Sequence, residues 1–170
     1  VVLSACSFDY REGMVEREGE EEIPQVDIRG VRMVVVRDNR LELTAERIAS
    51  YPKRGTQEFE TVVFREYGPD GEVRLEGVAD SGVIYLDTED IELFGTVRLY
   101  SQIEDARLES RYLYWENADR VLRGELEQSV IVERDDGTRI EGRGLRVDGR
   151  RNVVEFRAGV QGTYYSREEE

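Results

Sequence analysis

The stretch Val73-Arg74-Leu75-Glu76-Gly77-Val78-Ala79-Asp80-Ser81-Gly82-Val83-Ile84-Tyr85, followed by Ile91-Glu92-Leu93-Phe94-Gly95-Thr96-Val97-Arg98-Leu99, decides the fold class. Apolar or small residues occupy every second position. Val73, Leu75, Gly77, Ala79, Val83 and Tyr85 read as one face, and Ile91, Leu93, Val97 and Leu99 as another. Alternation over runs of this length reads as strands with one buried face. The same period extends outward to Val31, Met33, Val35, Leu41, Leu43 and Ala45 on one side. On the other side it shifts to even positions: Leu122, Leu126, Val130 and Val132, then Val154, Phe156, Ala158, Val160 and Tyr164.

The stretch is also one unit of a repeat. Apolar residues open four units at Leu41, Leu75, Leu108 and Ile140, and valines close them at Val63, Val97, Val130 and Val160. The openings lie 34, 33 and 32 residues apart. A period in this range marks stacked units that cannot bury an apolar face alone. Asp70-Gly71, Asp136-Gly137 and Asp148-Gly149 stand where hairpins are needed, and they suit type I′ turns. Asp87–Asp90 and Glu116–Asp119 are longer polar turns. The third and fourth units change phase: Leu108 and Tyr112 are even where Leu113 and Trp115 are odd, and Ile140, Gly142 and Gly144 are even where Leu145 and Val147 are odd. A bulge at Gly142 or Gly144 reconciles the two faces and lets the sheet curl. The only helical candidate, Thr44–Ser50, is stopped by Tyr51-Pro52. The expectation is a single all-β domain over residues 26–165: one antiparallel, curled and open sheet with edge strands at both ends.

Composition narrows the chemistry. The net charge is −14 with 36% charged residues, against the basic face a phosphate backbone requires, so nucleic acid is not an expected partner. Lys53 is the only lysine among 24 basic residues. There is no histidine, which removes the commonest general base and metal ligand. A single cysteine excludes an internal disulfide and a thiolate cluster. There is no P-loop, nucleophile elbow or classical triad. Gly142-Arg143-Gly144 is too short for a phosphate loop. Carboxylates such as Glu72, Glu76, Glu92, Glu127 and Glu155 fall on the outward phase, where solvation explains them. No catalytic residue, cofactor or metal is expected. Tyr112, Tyr114 and Trp115 are the densest aromatic cluster, and in a curled sheet they serve core or cavity alike.

The single cysteine, Cys6, ends Leu3-Ser4-Ala5-Cys6, which resembles a bacterial lipobox: an apolar signal segment reaching a small-residue cleavage site. It implies cleavage before Cys6 and acylation of its thiol, on a chain that begins within its export signal. Two or more acyl chains anchor a protein stably to a bilayer. Ser7–Gln25, loaded with Glu16, Glu18 and Glu20–Glu22, is a self-repelling linker spanning about 25 Å as a flexible chain. Residues 1–25 are thus assigned to signal remnant, lipobox and linker, and 166–170 to an acidic tail. No window approaches the roughly 18 apolar residues of a membrane-spanning helix.

Taken in order, Leu75–Ala79, Ile91–Val97, Ala106–Ser110, Ile140–Asp148 and Val153–Tyr164 resemble the LptC family, the membrane-anchored periplasmic component of lipopolysaccharide export. OstA-like bridge proteins of the LptA type share the pattern. The resemblance implies a twisted, open β-jellyroll whose apolar groove holds the acyl chains of lipopolysaccharide or a related glycolipid. It further implies that the N-terminal edge meets an inner-membrane ABC export complex and the C-terminal edge a periplasmic bridge protein. Where that family commonly uses a transmembrane helix, this chain offers Cys6. On this reading Val97, Leu99, Leu126, Val130, Ile140, Val154, Phe156 and Val160 line the groove, and Val153, Val154, Phe156 and Val160 form the docking edge. The rival readings are a β-repeat lipoprotein with a filled core and, more distantly, an enzyme acting on envelope polysaccharide.

Overall fold

The computed structural model describes residues 23–36, 39–151 and 153–164. Ten strands form one antiparallel sheet: β1 (Val26–Val36), β2 (Arg40–Tyr51), β3 (Thr56–Tyr67), β4 (Val73–Tyr85), β5 (Ile91–Ser101), β6 (Ala106–Glu116), β7 (Val121–Arg123), β8 (Ser129–Arg134), β9 (Arg139–Asp148) and β10 (Val153–Thr163). Each strand from β1 to β6 pairs with the next. The short β7 and β8 then share the space between β6 and β9. Among the described residues β1 and β10 each have a neighbour on one side only, so the sheet is open. No helix occurs among the described residues. Thr44–Ser50 lies inside β2, because its main chain pairs with β1 and β3 and Ile48 enters the core.

Three of the four sequence units are hairpins of consecutive strands, and the third unit is the antiparallel β6–β8 pair with β7 between. Leu41 and Val63 lie in β2 and β3, Leu75 and Val97 in β4 and β5, Leu108 and Val130 in β6 and β8, Ile140 and Val160 in β9 and β10. All four openings lie on the inward phase. Val97 and Val130 are buried, whereas Val63 pairs with Thr44 and is 41% exposed, its inward place taken by Val62.

A crease crosses every strand except the short β7 and β8, and it corrects the uninterrupted phase read for the first half of the chain. Left-handed residues stand at Gly30 in β1, Thr61 in β3, Gly95 in β5, Gly144 in β9 and Gly159 in β10. At the crease the buried set changes phase: Leu43 and Ala45 give way to Ile48 in β2, and Val62 gives way to Phe59 in β3. In β4 the inward row passes from Gly77 and Ala79 to Gly82 and Ile84, so Val83 and Tyr85 face outward, not inward with Val73. β5 carries one extra residue at Gly95-Thr96, which restores its phase, so Leu93 and Val97 both point inward. In β9 the kink is at Gly144 (φ +63°), while Gly142 has another role described below. Strands that bend about one line fold the sheet into two half-sheets lying face to face.

Side chains stitch the crease. Thr61 Oγ1 donates to Glu46 (3.1 Å) and the Thr96 N–H to Asp80 (2.7 Å). Asp80 occupies the space a Cβ on Gly95 would need, at 2.3 Å, so glycine there is required by sterics as well as by φ. In the interval of β6 between its β7 and β8 pairings, Ser110 Oγ donates to the Tyr112 carbonyl (2.8 Å).

The turns differ from the expected type I′ form. Gly71 (φ +83°) and Gly137 (φ +91°) are left-handed, but the aspartate before each is not, so one positive φ closes each turn instead of two. Asp148 turns the chain differently. Its buried carboxylate accepts the Arg150 and Arg151 N–H groups, both at 3.1 Å, and an Arg146 N–H at 3.2 Å. Burial opposes its charge, yet these donors hold its carboxyl below the ordinary range.

Candidate functional site

The inward face is a set of apolar rows running across the strands from one free edge toward the other. In the half-sheet carrying the unit openings, direct cross-strand neighbours are Met33, Leu43, Phe64, Gly77, Leu99, Leu108, Val132, Ile140 and Gly162, one from each strand except the short β7. In the other half-sheet Ile28, Ile48, Phe59, Gly82, Leu93 and Leu113 form one row, and Ile84, Ile91, Trp115, Leu122, Val147 and Val154 a second. No charged side chain interrupts these rows. Antiparallel pairing stacks direct neighbours on one side of the sheet, so period-two alternation in ten strands becomes a continuous apolar strip.

The strip closes into two clusters. Leu43, Ala45, Ile48, Phe59 and Val62 form the N-terminal one, flanked by Val31, Met33, Phe64 and Ile84. Ala79, Val97, Leu113, Val130 and Leu145 form the C-terminal one, flanked among others by Leu93, Leu99, Leu108 and Phe156.

The ion pairs of four arginines lie on the outer face, each within one half-sheet. Arg65 pairs with Glu76 and Arg139 with Glu133 in the first half. Arg47 clamps Asp27 and Glu60, and Arg123 holds Glu116, in the second. Asp90 ties the β4–β5 turn to β6, accepting the Asn117 N–H (2.8 Å) and the Tyr114 hydroxyl (2.7 Å). The Asn117 and Tyr114 donors lower its carboxyl pKa, and the same bond raises Tyr114 to about 12.

The aromatic cluster is divided by the pleat. Trp115 is in an inward row, between Ile91 and Leu122. Tyr112 and Tyr114 face outward beside Glu92 and Phe94; the Phe94 and Tyr112 ring centroids lie 5.3 Å apart. Burial pushes the Tyr112 hydroxyl up to about 12.

The expected groove residues fall in three environments. Val97 and Val130, at 1% and 0% exposure, are sealed in the C-terminal cluster. Leu99, Ile140 and Phe156 are half-buried on the inward face. Val154 (54% exposed) pairs with inward Val147, and Val160 (59%) precedes Gly162, the partner of Ile140; both sit where the strip meets the β10 edge. Leu126 lies in the loop between β7 and β8, 55% exposed, over Gly144 and beside Arg157, outside the rows. With Arg123, Arg146 and Arg157 it borders a cavity of about 40 Å³. A second recess of about 250 Å³, lined by Arg98, Glu109, Arg111 and Ile131 among others, opens on the outer face at the crease.

The docking-edge residues Val153, Val154, Phe156 and Val160 all lie on β10, which pairs only with β9. The rows of Met33 and Ile28 were legible only in part from sequence, because the crease reverses their phase. Gly30, Gly95 and Gly159 are its visible trace; Thr61 gives none. Cys6 and nearly all of the linker lie outside the described residues. No helix among the described residues is long and apolar enough to cross a membrane.

Comparison with known proteins agrees with this geometry. A solved structure of LptH from Pseudomonas aeruginosa, described as the LptA-homologous periplasmic component of the lipopolysaccharide transport device, superposes with a TM-score of 0.56. It is 12% identical, and the match covers 74% of this chain and 95% of that one, which establishes a shared jellyroll fold. A search of curated protein sequences returns no match. The family model for lipopolysaccharide-assembly, LptC-related proteins matches residues 23–165. With the open jellyroll and its edge-to-edge apolar strip, that match over most of the sequence shows that the chain belongs to the LptC family of lipopolysaccharide-assembly proteins.

Proposed function

We propose that this chain is a non-catalytic carrier in lipopolysaccharide export, holding acyl chains between its two half-sheets and relaying them from an inner-membrane ABC export complex to a periplasmic bridge protein. The observation that carries this reading is the unbroken apolar strip between two free strand edges. An apolar path favours acyl chains by roughly 0.8 kcal/mol for each buried methylene. A free edge supplies main-chain donors and acceptors for another strand, so partner domains add to β1 and β10 and prolong the strip. Val97, Leu99, Val130, Ile140, Val154, Phe156 and Val160 lie on this path; Leu126 is off it. In the same reading Cys6 carries the lipid anchor at the periplasmic face of the inner membrane, and Ser7–Gln25 is the tether.

A photo-crosslinking residue at Phe156, which faces inward, should capture lipopolysaccharide, while one at Glu155, which faces outward beside Arg146, should not. Equal labelling at the two positions would sink the groove. A proline at Val154 or Val160 should abolish pull-down of the bridge partner. The second reading, a structural lipoprotein with a filled core, draws on one observation: Val97, Leu113, Val130 and Leu145 are 0–1% exposed. It expects no lipid in native mass spectrometry of the detergent-free protein, where the carrier reading expects bound glycolipid.

A further inference from the structure

The carrier reading must account for how an acyl chain enters an interior whose C-terminal cluster is closed. Among the inward side chains of β10, Val154 and Val160 are exposed, and Phe156 is the large one turned into the cluster. Phe156 starts in one half-sheet, opposite Leu145. Its ring ends in the other half, over Gly142: a Cβ on Gly142 would sit 2.6 Å from Phe156 Cδ1 and 2.8 Å from Cγ. Gly142 is therefore a socket. Its missing side chain is the space the ring fills, and its own φ is not left-handed, so backbone freedom does not explain it. None of the ion pairs described above joins the half-sheets, so this ring-in-socket contact is an apolar latch at the end of the strip next to the β10 edge.

We infer that Phe156 is the gate of the C-terminal mouth, closing the apolar interior by packing against Gly142 and swinging out when an acyl chain passes toward the docked partner. The inference rests on the carrier reading and adds the residue that controls passage. Among the described residues Phe156 sits on the edge strand β10, and turning its ring out breaks no backbone hydrogen bond. Half the burial of a phenyl side chain corresponds to roughly a factor of ten in the closed-to-open ratio.

The test uses the single tryptophan. Trp115 lies in an inward row two cross-strand steps from Val147, the partner of Val154, so a heavy-atom quencher inside the strip reports through its fluorescence. The probe is a brominated dodecanoic acid, below its micellar concentration, added to the purified chain. Phe156→Ala should quench about tenfold faster than wild type, and Glu155→Ala, on the same strand but facing outward beside Arg146, should match wild type. Gly142→Ala, which keeps the ring but fills its socket, should also quench faster, and it stands in if Phe156→Ala does not fold. Quenching at the wild-type rate in whichever of these two variants folds overturns the gate while leaving lipid uptake intact. Absence of quenching in wild type and variants alike overturns the carrier reading, and the gate with it.

Discussion

The two apolar clusters each bury five apolar side chains and close unequally. In the N-terminal cluster the buried side chains retain 3–8% exposure, and its outer wall is β1, where Val26, Ile28, Val34 and Val36 are 44–72% exposed. In the C-terminal cluster Val97, Leu113, Val130 and Leu145 retain 0–1%. The difference has a structural cause. β7 and β8 share the space between β6 and β9, and six half-buried apolar side chains pack against the C-terminal cluster where four pack against the N-terminal one. At the N-terminal end β1 covers the cluster from one side only. On the carrier reading, the half-closed end is the one that another strand completes, and the sealed end is the one that Phe156 opens.

The sharpest way to break this comparison is to remove the same side chain from each cluster. Leu113→Ala, at 0% exposure, should cost about 4 kcal/mol, seen as a lowered urea midpoint at unchanged slope. Leu43→Ala, at 7% exposure and nearer the open edge, should cost about 2.5 kcal/mol, because its surroundings collapse more easily into the gap. Equal losses would erase the distinction between the ends.

Asp90→Asn should cost about 1 kcal/mol at neutral pH by weakening the tie between the β4–β5 turn and β6. The Asp90 pKa is lowered in the folded state, so its contribution is present above the unfolded carboxylate pKa and is lost as pH falls through the folded one. The wild type should therefore lose more stability than the variant when chemical unfolding is repeated from neutral pH into that acid range. Parallel losses would remove Asp90 from the account.

The smallest effect concerns the crease shared by both ends. Thr61 is β-branched yet has φ +51°. Thr61→Gly relieves roughly 1–2 kcal/mol of left-handed strain, but loses the bond to Glu46 and adds unfolded-state entropy, for a net gain of about 0.5 kcal/mol. A loss of stability on denaturant unfolding would show that the Glu46 bond, not backbone strain, governs the crease.

How much of this was legible follows from particular residues. Leu41, Leu75, Leu108 and Ile140 each open a unit of paired antiparallel strands, and their spacing was legible because it is a property of the chain alone. The phase shift at Gly144 left a trace, since Ile140 and Leu145 are odd–even neighbours. The shift at Thr61 left none, and neither did the shift in β4 between Ala79 and Gly82, which turns Val83 and Tyr85 outward. Leu126 fits an even-numbered apolar phase, yet that phase stops at Arg123, where β7 ends.

The all-β class, the four repeated β units, the antiparallel sheet and the resemblance to the LptC family were determined by the sequence itself, because alternation, turn residues and composition are local quantities. The crease, the unequal closure of the two ends and the seating of Phe156 on Gly142 were decided only by the tertiary structure. Each depends on which side chains meet across folded half-sheets, and residues 14 apart in sequence, such as Gly142 and Phe156, carry no local sign that one is the socket of the other.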